Sequence, residues 1–143
     1  MTCGSLLYAT STSTTSITSG SNVQFNKIVR RYGRNIVLNN YTPVIAGRGY
    51  YNIDTVFTGV ASTAVASTAG TVTLALYQDD VQIPGATVTT TVAAGDTIGS
   101  SLSTLICLKG CCCNEAATSV VTLVVSGAGD VTPSNAAIRI IKV

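Results

Sequence analysis

Apolar and polar residues alternate along most of this chain with a period of two. Val72, Leu74 and Leu76 alternate with Thr71, Thr73 and Ala75, the pattern of a half-buried strand, and are placed in the interior. Tyr51, Ile53, Thr55 and Phe57 share one face of a longer strand, and Val23 and Phe25 one face of Asn22–Phe25. Asn35–Leu38 and Pro43–Ala46 are short apolar runs closed by Asn39-Asn40 and by Gly47. Asp79-Asp80 predicts a turn into Val81-Gln82-Ile83, and Pro84-Gly85 a second one. Thr87, Thr89 and Thr91 then face away from Val88 and Val92, Ala94-Gly95-Asp96 breaks the run, and Ile98–Leu108 resumes it.

Val120–Val125 is apolar on both faces apart from Thr122, as either subunit packing on a second side or plain deep burial produces, and Ala136–Val143 forms a terminal strand. Gly59–Gly70, rich in Ala, Ser and Thr, predicts a loop. Thr10–Ser16 has only hydroxyl side chains and cannot bury a face, so residues 1–20 are expected as a flexible Ser/Thr-rich arm before a domain over 21–143. About eight to ten short strands and no helix define an all-β chain, an antiparallel β-sandwich of jelly-roll kind.

Composition sharpens this picture. Ser and Thr make up roughly a quarter of the chain, and β-branched residues suit a pleated surface. Charged residues are only 10% of 143, too few to cover an isolated monomer, which implies burial of outer surface against copies of the chain. Spanning helices are excluded, because no run approaches the ~20 apolar residues they need. With no Trp and two Phe, a transmembrane barrel has no aromatic girdle. A net charge of +2 makes no case for nucleic acid, and no secretory leader follows Met1, which implies synthesis in the cytoplasm.

Three segments carry a family resemblance: Gly49-Tyr50-Tyr51-Asn52-Ile53, the run from Thr73 through Val81-Gln82-Ile83-Pro84-Gly85-Ala86, and Asn135–Ile140. Together with Arg30–Ile36 they resemble the C1q/TNF-like jelly roll over about residues 20–143, in the short form found among phage and prophage virion proteins of head-fibre or decoration type. More distantly, they resemble the C-terminal domains of collagen-like spore-surface glycoproteins. The resemblance implies a homotrimer displayed on a virion and held to a capsid or other virion protein through the arm. Departing from the collagen-like relatives, this chain has no Gly-X-Y repeat.

Five cysteines stand out: Cys3, Cys107, Cys111, Cys112 and Cys113. The last four fit unpaired thiols, disulfides or soft-metal ligands, but they lack the spaced pairs and the histidine of common zinc sites. Cys3, Cys111 and Cys113 are the candidates for links between subunits. Lys27, Arg30, Arg31 and Arg34 hold half of the basic side chains within eight residues and suit a docking contact or a solvated face. Asp79, Asp80 and Asp96 read as turn residues rather than calcium ligands. No histidine is present, so a Ser–His or Cys–His nucleophile pair cannot be built, and neither an enzyme nor a cofactor is expected. The other readings are a self-polymerising bacterial or spore surface fibre subunit linked through cysteines, and a module binding a host-surface carbohydrate or receptor.

Overall fold

The computed structural model describes residues 4–61, 70–93, 95–108, 118–127 and 130–143. Among them the only regular elements are strands: β1 (Leu6–Ser11), β2 (Ser21–Asn22), β3 (Lys27–Tyr32), β4 (Ile36–Asn39), β5 (Thr42–Ala46), β6 (Gly49–Ala61), β7 (Gly70–Gln78), β8 (Val81–Val92), β9 (Thr97–Leu108), β10 (Thr118–Gly127) and β11 (Val131–Lys142). They form two antiparallel sheets. The first has the order β3-β1-β11-β6-β9; the second is β4-β5-β10-β7-β8, with β2 also paired to β10. No helix among the described residues is long and apolar enough to cross a membrane.

Alternation decides which side chains meet between the sheets. Tyr51, Ile53 and Phe57 of β6 and Ile138 and Ile140 of β11 are sealed from solvent on one side. Leu74 and Leu76 of β7 and Val121, Leu123 and Val125 of β10 face them from the other. The interior placement of Val72, Leu74 and Leu76 holds, with none of them more than 2% exposed. Val120–Val125 is a central strand whose second face carries Val120, Thr122 and Val124 half in solvent.

Two hairpins obey local turn chemistry. Asp79-Asp80 joins Gln78 to its partner Val81 as a two-residue loop, with φ of 51° and 65°. Positive φ at both central positions is the type I′ geometry that matches strand twist, and aspartate tolerates it. Asn40-Tyr41 closes Asn39 onto Thr42 in the same way. The Asp79 carboxylate then ties two strands together, accepting from the Val120 N–H (2.9 Å) and the Ser119 hydroxyl (2.9 Å).

Three expectations are corrected. The arm over residues 1–20 is largely built into the sandwich: β1 lies between β3 and β11, and Leu7 and Ala9 are fully buried. The apolar run Leu6-Leu7-Tyr8-Ala9 supplies that buried face, and its partners lie at the far end of the chain, Leu7 opposite Ile140 and Ala9 opposite Ile138. Ile17 adds a bridge to Val131. The domain therefore starts well before residue 21. Pro84-Gly85 is no hairpin turn either. It is an irregularity within β8, where pairing jumps from Tyr77–Gln82 to Ala75–Thr87 and Gly85 takes a φ of 80°. Lastly, the predicted loop Gly59–Gly70 begins inside a strand: Gly59, Val60 and Ala61 belong to β6, Gly70 opens β7, and residues 62–69 lie outside the described residues.

Candidate functional site

Since the odd-numbered side chains of β6 point inward, Tyr50, Asn52, Asp54, Val56 and Val60 point outward. Register carries this face across the first sheet. Asn52 sits opposite Leu105 and Ile141, with Leu6 beyond Ile141, while Val56 sits opposite Ser101 and Ala137. Leu105 is 56% exposed and Tyr50 55%, and Val56, Val60 and Ile141 are also open to solvent. They share a single sheet face with polar neighbours, since Asn52 stands between Leu105 and Ile141. Several large exposed hydrophobics on one face make it the candidate interaction surface.

One ion pair interrupts that surface. Arg139 and Asp54 are cross-strand partners, and their side chains meet at 2.7 Å. Ser103, opposite Asp54 on the other flank, donates its hydroxyl to the same carboxylate at 2.7 Å. The Arg139 guanidinium, then the Ser103 hydroxyl, hold the Asp54 carboxyl below its ordinary range. Exposed as it is, the pair contributes about 0–1 kcal/mol to the fold. Tyr8, Asp54, Val56, Ala137 and Arg139 line a shallow hollow of about 260 Å³ at this point.

Cys107 lies on this face opposite Tyr50, half-buried and with no disulfide partner among the described residues. Cys3, Cys111, Cys112 and Cys113 lie outside the described residues, and with them the disulfide and metal readings. Among the described residues no group of three or more potential ligands is placed to hold a metal. Lys27, Arg30 and Arg31 project from β3 and Arg34 from the turn after it, all exposed. The outward residues of the first sheet were missed in the sequence. Their signal was present in Val56, Val60, Leu105 and Ile141, but it becomes a surface only once strand register sets them side by side.

No protein-family model matches this chain, and no curated protein matches it in sequence. Solved structures do match it in shape. Murine APRIL at pH 5.0 superposes with a TM-score of 0.68 at 10% identity, covering 98% of this chain and 99% of that one. The globular domain of zebrafish complement 1qA protein superposes at 0.64 and 10% identity, covering 95% and 94%. Murine APRIL at pH 8.0 gives 0.61 at 15% identity. The fold is the C1q/TNF-like jelly roll. With so little identity the shared property is the path of the backbone. The match along nearly the whole chain agrees with β1 being part of the jelly roll rather than a leader to it.

Proposed function

We propose that this chain is a non-catalytic structural module that assembles as a homotrimer and is displayed on a virion surface, as a head fibre or decoration protein. The observation that carries the assembly is the apolar outer face of the first sheet, with Tyr50, Val56, Leu105 and Ile141 in solvent in a chain that has only 10% charged residues. Covering that face with copies of itself removes these apolar side chains from water at about 25 cal/mol per Å². A threefold arrangement is supported by the jelly-roll type, in which such trimers are typical. The virion role rests on the sequence resemblance to phage proteins. Attachment through a free N-terminal arm is dropped from the proposal, because β1 belongs to the core.

Multi-angle light scattering at micromolar concentration should return three times the chain mass of 14.6 kDa. A monomer at that concentration overturns the assembly reading. For the virion role, antibody raised against the domain should label the surface of purified particles, and particles free of the chain overturn it.

A further inference from the structure

We infer that the free edge of β3 is a docking strand for an extended, acidic segment of a partner protein, which would add to the first sheet as a further strand. This goes beyond the trimer and does not rest on it, because β3 lies at the opposite edge of its sheet from β9 and the backbone edge is a different surface from the sheet face.

Four observations converge on this edge. β3 pairs only with β1 among the described residues, so the other side of its backbone offers N–H and C=O groups to an incoming strand. All six of its residues are exposed, including the apolar Ile28, Val29 and Tyr32, which is more than a strand protected by charge alone needs to show. Beside it, Asn26 and Ile28 face Leu38, Asn40 and Tyr41 across a cleft of about 480 Å³, room for side chains of an added strand. Finally, Lys27, Arg30, Arg31 and Arg34 make no ion pair among the described residues, where the single ion pair is Arg139–Asp54. Arg31 spends its Nε–H on the Ile36 carbonyl (3.1 Å), and the other three cations have no bonded partner there.

Charge selects the occupant. Natural sheets use Lys, Arg and bulges to stop edges from pairing with copies of themselves, and β3 has both, with a register shift opposite Tyr8/Ala9. Two β3 edges brought together would oppose like charges, so a second copy is disfavoured. Lys27 and Arg30, opposite Thr10 and Tyr8, share one face of β3, so a strand with carboxylates on alternate residues meets those two cations favourably while its backbone completes the ladder.

The test is fluorescence anisotropy with a labelled peptide alternating glutamate with valine, titrated with the full chain at low salt. Binding is expected, weakening as salt rises, and the lysine–valine counterpart should not bind. N-methylating alternate amides, which keeps every charge but removes ladder donors, should weaken binding by about tenfold or more. The Lys27→Glu/Arg30→Glu variant, checked for an unchanged melt, should lose at least about tenfold. Failure of the glutamate peptide to bind overturns the inference, as does equal binding of the lysine peptide. Undiminished binding of the N-methylated peptide also overturns it, and would make the edge a general polyanion surface, such as one for a sulfated glycan. The peptide arms leave the protein unaltered, so they decide the matter even if the double variant misfolds. Light scattering on the same sample keeps the outcome separate from that of the trimer.

Discussion

The two sheets of this sandwich share a core but differ in what they show to solvent. Strands of the second sheet, β2, β4, β5, β7, β8 and β10, contain no Asp, Glu, Lys or Arg. Across β7 and β8 the outer face is wetted by hydroxyls: Thr71 and Thr73 on β7 pair with Thr91 and Thr89 on β8, and the Thr73 and Thr89 hydroxyls meet at 3.1 Å. Every charged strand residue belongs to the first sheet, namely Lys27, Arg30, Arg31, Asp54, Arg139 and Lys142. Both sheets expose some large apolar side chains, Val81 and Val120 on the second and Leu105, Val56 and Ile141 on the first, but only on the first do they stand beside charged strand residues. Threonine rows can solvate a face without charge while keeping β propensity. A face that mixes open apolar side chains with a few placed charges suits the proposed subunit interface, where charges can set register and partner.

The largest effect that tests this contrast comes from β1. Deleting residues 1–11 removes a strand from the middle of the first sheet and uncovers β11, so the truncated chain should show no cooperative thermal transition by circular dichroism. A melt within a few degrees of the parent's would return those residues to the status of a dispensable arm. Next in size is a paired substitution on the two faces. Leu105→Asp on the first sheet should shift the trimer to monomers, raising the concentration for half-assembly by about a hundredfold or more, because it places an unpaired carboxylate in the covered face. Thr73→Asp on the second should leave the assembly mass unchanged. If both variants assemble alike, or if only the second dissociates, the faces have been assigned the wrong way round.

The smallest expected effect concerns the Asp54–Arg139 pair. Its carboxyl is held below the ordinary 3.8 in the folded state, so the pair's stabilisation is fully present above the unfolded value. It is lost as pH falls through the lower folded value. Being partly exposed, the contribution is below about 1 kcal/mol. Urea midpoints measured from pH 7 down to pH 2 should therefore converge for the parent and Asp54→Asn at the acid end, with the parent slightly ahead at neutral pH. A variant ahead at neutral pH would mean that the pair costs more in desolvation than it returns.

Much of this was legible along the chain, and the reason is local. Strand identity follows from alternation, which is why the inward faces of β6 and β7 could be named residue by residue, whereas Val120–Val125 of β10, apolar on both faces, left its inward side open. The Asp79-Asp80 hairpin followed from residue chemistry at positive φ, and the absence of histidine removed whole classes of catalysis. What the sequence could not decide was pairing between distant strands. The short apolar run Leu6–Ala9 is indistinguishable from a tail until Ile138 and Ile140, more than a hundred residues away, arrive to bury it. Pro84-Gly85 carries the signature of a turn, but the ladder with β7 continues on both sides and makes it a kink. The basic run 27–34 became a sheet edge, and Val56, Leu105 and Ile141 became one surface, only when register set their strands side by side. Side-chain alternation is a property of each strand alone, whereas neighbours, edges and faces are properties of the order in which strands join.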